Sequence, residues 1–458
     1  MTQSPIPIML QAMTVSPFDS ALFGPLLSDA ETALLFSDKA ALRAMLRVEG
    51  ALAEAEARCG VIPPASASAI AAAAGALIPD PAALAAKTAE DGVPVPALVA
   101  ALRQAVAVSA GEDAAQVVHW GATSQDILDT GLVLRLRRLI AILETRLAAL
   151  IEALAGLADA HRATVMPGRT RSQQATPVSF GLKAAGWLAP LLRDRDRLFE
   201  LKPRLLVLSF GGASGTLGAL GEDGVEVEAA LAEILELAVP PMPWHSQRDG
   251  IAEFAGWLAL VTGTLGKLGR DLCLLAQTEV AEVRPGAGGG SSTMPQKSNP
   301  VGPETLVALA RFNAGLVGQI HQAMLHEHER DGAAWPVEWL ALPQMAVAAG
   351  AALNHALAVT ASLTVDAARM AERFEASHGL LLAEAASFAL AAHMPRPEAQ
   401  RLVKDAATKA TATGRHLFDL LAGMSQAPVD WPALRDPASH LGAADAFIDR
   451  VLAAAKQG

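Results

Sequence analysis

Apolar residues between Arg138 and Ala160 recur every three or four positions, at Leu139, Ile142, Leu143, Leu147, Leu150, Ile151, Leu154 and Leu157. That period predicts a helix with one buried stripe. Two further long patterns run from about Ile251 to Val283 and from Val301 to about Glu329. A shorter helix is expected from near Asp38 to the breakers at Gly60 to Pro64. Helices of roughly 30 residues reach about 45 Å, and long striped helices bury their stripes most simply in a bundle. The sequence has no strand–helix–strand alternation and no repeat of the length that marks solenoids. The predicted class is all-α.

Breakers divide the pattern. Gly111-Glu112-Asp113 precedes the first polar cluster, Gly211 to Gly221 and Pro240 to Trp244 form turns, and Gly286 to Ser292 is the break richest in glycine. After Pro343 the helical patterns shorten and become rich in alanine. The expected division is 1–110, 111–345 and 346–458.

Composition narrows the function. Hydrophobic residues make up 52% of the 458 and charged residues 18%, so the chain can bury a large core. With 36 Lys and Arg against 47 Asp and Glu the net charge is −11, which repels phosphate backbones and argues against general nucleic-acid binding. Cys59 and Cys273 supply neither a disulfide framework nor a cysteine zinc site, which fits a reducing compartment. The start, Met1 to Pro5, lacks a signal-peptide pattern, and the apolar stretch from Gly256 to Ala276 carries Lys267, Arg270 and Asp271. These charges are costly at bilayer depth, so a cytoplasmic protein without membrane contact is expected.

Four polar clusters interrupt the apolar helices. In His119 to Asp126, Thr123 and Asp126 have the spacing of a capping box, while Thr123, Ser124 and Gln125 are placed to donate to an anion at a helix N-terminus. In Pro167 to Pro177, Arg169 and Arg171 flank Thr170, an arrangement suited to carboxylates as well as to a solvated loop. Trp244 to Asp249 reads as a helix entry. The fourth, Gly288 to Pro300, ends in Asn299-Pro300, a helix start with Asn299 as the cap, and sets two serines and Lys297 near the positive end of a long helix. It is not a phosphate-binding P-loop, because no Gly-Lys-Ser/Thr follows a four-residue gap. His326 and His328 are two residues apart, which on a helix puts them on different faces and argues against a metal pair.

On these clusters the sequence resembles the fumarase/aspartase superfamily, also called the argininosuccinate/adenylosuccinate lyase family. Gly290 to Pro300, GSSTMPQKSNP, is similar to the family's signature loop (GSSxMPxKxNP). The segments His119–Asp126 and Gly168–Pro177 resemble its other polar regions, and Gln247-Arg248-Asp249 and His328-Glu329-Arg330 resemble further family positions. The resemblance implies a three-domain all-α protomer with a central long five-helix bundle. It also implies a homotetramer whose active sites combine polar regions from three subunits, a small polycarboxylate substrate and no cofactor.

The family reaction adds to, or eliminates from, a carbon beside a carboxylate. Removing a proton there builds a second charge on the carboxylate, which preorganised positive groups must stabilise. Carried over by resemblance, Ser291 transfers the proton, with Ser292 the alternative, and Lys297 and Asn299 stabilise the enolate-like intermediate. Thr123, Ser124, Arg169, Arg171 and Arg330 hold carboxylates, and Gln125, Thr170, Gln173, Gln247, Arg248, Met294 and His328 complete the substrate-binding set. Met294 reads equally as a packing residue. His119 either orients and polarises the site or makes a structural hydrogen bond.

One departure is informative. Lyases of the family usually read Gly-Arg-Thr-His, with the histidine as general acid for a leaving amine; here the fourth position is Arg171, which does not deprotonate. Amine release is therefore handicapped, whereas a carboxylate adds or leaves without a proton. The segments HWGATSQDILDT, PGRT with QQATP, and PWHSQRD resemble the branch that lactonises muconates. The implied activity is cofactor-independent closure of 3-carboxy-cis,cis-muconate to 4-carboxymuconolactone in protocatechuate breakdown. Alternatives are a sulfonated muconate as substrate, an adenylosuccinate-type lyase with His119 or His245 as acid, or a structural homologue without turnover.

Overall fold

The computed structural model describes residues 15–286, 289–290 and 293–457. Most of them are helical. The striped segment belongs to a 37-residue helix, Ser124–Ala160. At 1.5 Å per residue it runs about 55 Å. Leu139, Leu143, Leu147, Leu150 and Leu154 are each at most 1% exposed, so the predicted stripe is the buried face. Four other long helices are Phe180–Leu205, Asp249–Leu275, Val301–Ala323 and Trp335–Ser362. The pattern expected to reach Val283 stops at Leu275, and the one expected to reach Glu329 stops at Ala323. Beyond Ala323 the chain turns to solvent, with Leu325 77% exposed, so the apolar pattern there does not mark a buried helix face.

The Asp38–Arg58 helix is capped by Ser37, whose Oγ accepts from Ala40 N at 3.3 Å, and ends before Gly60 at φ 78°. Gly60 takes the left-handed conformation that terminates helices without a Cβ penalty.

The chain forms two compact units: 1–145 with 196–263 and 309–354, and 146–195 with 264–308 and 355–458. The first holds a core of Leu46, Leu52, Ile70, Leu98, Leu102, Ile127 and Leu231. The second includes the C-terminal cluster of Leu382, Leu390, Val403, Phe418, Leu421 and Trp431.

Three strand pairs among the described residues were invisible to periodicity, one of them Val283–Pro285 with Leu363–Val365. Val165–Thr170 pairs antiparallel with Gln173–Ser179, with an irregular register between Pro167 and Arg169. Gly168 sits at that irregularity, and a Cβ there would lie 2.7 Å from the Thr176 carbonyl oxygen. Gly289–Gly290 pairs with Ser298–Asn299, which closes the signature loop at its base. The helix after it begins at Val301, and Pro300 O accepts from Glu304 N. Pro300 therefore takes the capping position expected for Asn299, which is held in the strand pair instead.

By length and composition alone the Trp335–Ser362 helix passes as a membrane span, yet 61% of its apolar window is buried within the structure. Ala341, Leu342, Met345, Ala346, Ala348 and Ala349 are all at most 1% exposed. An apolar helix buried on most sides by protein is a core helix.

Candidate active site

In the first unit, the polar groups gather at the N-terminus of the Ser124–Ala160 helix. Thr123 N donates to Asp126 Oδ2 at 2.9 Å, which is half of the expected capping box. The Thr123 hydroxyl has another partner: it accepts from Arg330 Nη1 at 2.9 Å. Arg330 Nη2 donates to the Gly212 and Ala213 carbonyls at 3.3 and 2.9 Å, so the guanidinium is held at three points. Asp331 fixes the turn that carries it. Its carboxylate accepts from the backbone N–H of Ala333, Ala334 and Glu327, and these bonds hold its pKa below the usual carboxylate range.

Asp126 is 1% exposed and organises the cluster from beneath. It accepts from Gly211 N at 2.9 Å, Gly212 N at 3.0 Å and His245 Nε2 at 2.6 Å. The glycine turn is shaped for this purpose: a Cβ on Gly211 would meet Pro243 Cβ at 2.7 Å and His245 Cε1 at 3.0 Å. Asp126 and His245 are thus positioning residues, a role the sequence did not assign them: it offered His245 only as the acid of the alternative lyase. For Asp126 the signal was the second half of the capping box.

His119 has a left-handed backbone, φ 63°, in the turn before this helix. Its Nδ1 lies 2.7 Å from Glu49 Oε1, a carboxylate with a fully buried side chain. Burial pulls the His119 pKa down, but the charge and hydrogen bond of Glu49 outweigh it and leave the pKa above the ordinary value. Deeper in the same unit, burial and the Glu49 charge push Glu56 up to about 9, and neither Glu56 oxygen has a hydrogen-bond partner among the described residues. Glu56 is therefore a neutral acid at pH 7.

Two expected substrate ligands have structural roles instead. Arg248 is 2% exposed; its Nη1 and Nη2 bond Asp129 at 2.6 and 3.1 Å, and its Nε and Nη2 bond Glu338 at 2.8 and 2.6 Å. The Trp244 ring lies 4.7 Å from the guanidinium carbon. Gln125 is fully buried and donates from Nε2 to the His245 carbonyl at 2.8 Å and to Asp129 at 3.2 Å. Both side chains brace the wall behind Asp126: Gln125 spends both of its donors there, and buried Arg248 spends four of its five N–H groups on Asp129 and Glu338. Gln247 contacts Met242 Sδ at 3.3 Å, away from this cluster. Ser124 is half-buried in the first turn, and His328 is exposed with φ 53°.

In the second unit, the hairpin turn consists of Arg171 and Ser172, with φ of 50° and 64°. Such a turn normally uses Asn or Gly, because a Cβ is disfavoured at positive φ. The flanking arginines have different fates. Arg169 Nη1 and Nη2 grip Glu282 at 2.8 and 2.6 Å, and the Glu282 side chain is fully buried. This bidentate pair consumes the fork expected to bind substrate. Arg171 is exposed and has no hydrogen bond or ion pair among the described residues. Thr170 and Gln173 flank it, both exposed. In the signature loop Met294 and Lys297 are exposed, Asn299 is half-buried, and Lys297 N donates to Met294 O at 3.0 Å. Ser291 and Ser292 lie outside the described residues.

Comparison with known proteins gives concordant results. Residues 28–313 match the family described as lyase, and residues 379–451 match the adenylosuccinate lyase C-terminus. A Pseudomonas aeruginosa protein named 3-carboxy-cis,cis-muconate cycloisomerase is 48% identical, over 94% of this chain and 96% of its own. One of the same name from Bradyrhizobium diazoefficiens is 44% identical over 94% and 98%. The crystal structure of the Pseudomonas putida 3-carboxy-cis,cis-muconate lactonizing enzyme superposes with a TM-score of 0.90 at 42% identity, over 96% of this chain and 99% of that one. The chain belongs to the fumarase/aspartase superfamily.

Proposed function

We propose that this protein is a cycloisomerase that closes 3-carboxy-cis,cis-muconate to 4-carboxymuconolactone. The observation that carries the reading is near-full-length similarity, at 40–48% identity, to four proteins named for that activity. In the reaction a substrate carboxylate oxygen bonds to one carbon of its double bond. The other carbon, alpha to a second carboxylate, takes up a proton, so the reaction is an isomerisation with nothing lost. Ser291 would deliver that proton, with Ser292 as its neighbour. A serine hydroxyl is a weak acid, and Lys297 with the following helix N-terminus would stabilise the alkoxide left behind. Asn299 would donate to the enolate-like carboxylate.

Arg171, unpaired at the position where family lyases carry histidine, supports lactonisation over amine release. It supplies a permanent cation for a carboxylate and no dissociable proton. Thr123 and Arg330 would hold a second carboxylate at the positive end of the Ser124–Ala160 helix. His119, whose pKa Glu49 raises, would polarise the site. We read the chain as divided at 1–110, 111–345 and 346–458, working in the cytoplasm on the protocatechuate route. It would act as a homotetramer whose sites draw residues from several copies.

The test is direct. Purified protein mixed with 3-carboxy-cis,cis-muconate should abolish the diene absorbance, with the lactone identified by NMR. Folded, tetrameric protein that leaves the diene intact, yet turns over sulfomuconate or releases amine from adenylosuccinate, would overturn the reading.

A further inference from the structure

Within the first unit, a cavity of about 550 Å³ is lined by Arg43, Arg47, Arg135, Arg137 and Arg138, against a single carboxylate, Glu54. In a chain of net charge −11 such a concentration of cations is unexpected from composition. Glu54 does little to neutralise it, because its carboxylate is engaged by Arg58 at 2.6 Å. The arginines come from two helices, Asp38–Arg58 and Ser124–Ala160. On the first, Arg43 and Arg47 are four residues apart and so share a face.

The five are not equivalent. Among the described residues Arg135 bonds only carbonyls, at Gly131 and Leu35, whereas Arg137 donates to the carbonyls of Leu235 and Glu236 and also faces the Glu236 carboxylate at 3.8 Å. Arg43 donates through Nη1 to Gly75 O at 2.7 Å. Arg47 and Arg138 are exposed and have no hydrogen bond or ion pair among the described residues. Burial lowers the pKa of Arg135 to about 10, the mark of a desolvated cation without a counter-charge. Between these groups the wall is apolar, with Leu46, Ala51, Leu134 and Ile234.

Clustered guanidinium groups repel one another, and desolvating one of them costs free energy that no carboxylate here offsets. An anion bound in the cavity would remove both penalties. Two free guanidinium forks suit paired oxygens of carboxylate or phosphate, and the apolar wall suits a carbon skeleton between them. We propose that this cavity binds a small organic anion bearing two or more acidic groups. Nothing in the lactonisation reading uses these arginines, so the site would be a second point at which such anions act on the protein.

Titration calorimetry on the intact protein tests this with two probes, benzene-1,2,4-tricarboxylate and inorganic pyrophosphate. At least one should bind with saturable heat, and Arg47→Glu with Arg138→Glu should weaken that event tenfold or more. The milder pair Arg47→Gln with Arg138→Gln should weaken it by an intermediate factor. Both pairs alter exposed side chains, so helicity and melting midpoint should match the parent. Loss confined to the tricarboxylate assigns an organic acid, and loss confined to pyrophosphate assigns a phosphate ester. Either supports the site. Binding of both probes unchanged in both double variants, or no binding of either at millimolar concentration, would overturn it. The readout is binding heat, so the result stands apart from whether the muconate is turned over.

Discussion

His119 and Glu49 are 70 residues apart in sequence and 2.7 Å apart in the fold, joined through Nδ1 and Oε1. A carboxylate only accepts, so Nδ1 carries the proton and Nε2 is the nitrogen left for a substrate group. Because the pair raises the folded pKa of His119, its stabilisation is fully present below the unfolded value near 6.5. That stabilisation is lost as pH rises through the folded value. Replacing Glu49 by Gln should leave His119 buried without its counter-charge. The basic limb of the kcat/KM profile should then move to lower pH, with activity at pH 8 down about tenfold. Glu49→Asp should restore part of it. An unmoved limb would show that His119 is only a structural partner.

Glu56 is shifted in the same direction and by more. Its raised pKa means that the folded state binds a proton the unfolded state releases between about 4.5 and 9, so stability falls with pH across that window. Glu56→Gln should flatten the dependence of the urea midpoint on pH and raise stability at pH 8 by on the order of 2 kcal/mol. A midpoint that falls equally with pH in both proteins would refute the assignment.

Arg248 holds two buried carboxylates, Asp129 and Glu338. Its truncation to Ala leaves them uncompensated, and the expected loss is about 3–5 kcal/mol of stability. Denaturant unfolding followed by circular dichroism measures this. A folded variant with only its KM raised would instead return Arg248 to the substrate.

Arg171 has no partner among the described residues, so Arg171→Ala should raise the muconate KM about tenfold while the melting midpoint stays within a degree or so of the parent. The neighbouring substitution Ser172→Gly separates binding from backbone. It relieves the positive φ of 64° and should stabilise the hairpin by about 1 kcal/mol without changing KM. Equal KM in Arg171→Ala and parent would remove Arg171 from the substrate site.

Much of the molecule is legible in the sequence because its signals are local. The stripe from Leu139 to Leu154 specifies a buried helix face through spacing alone, and Ser37 and Gly60 bracket the Asp38–Arg58 helix by backbone chemistry. The signature motif from Gly290 to Pro300 carries the family, since eleven consecutive residues need no fold to be read. What the sequence could not convey are relations between distant segments. Arg169 and Arg171 look alike along the chain, but Glu282 takes one fork and leaves the other free. Gln125 and Arg248 carry the polar groups of substrate ligands, yet the fold turns both inward onto Asp129. The hairpin at 165–179 escaped notice because its turn, Arg171-Ser172, lacks the glycine or asparagine that would announce it. The cradle of Asp126 joins backbone donors 85 and 86 residues away. Periodicity and caps report energies that a residue exchanges with its near neighbours. Which charge meets which is decided by the cost of burying each without a partner, and that cost exists only once the chain has folded.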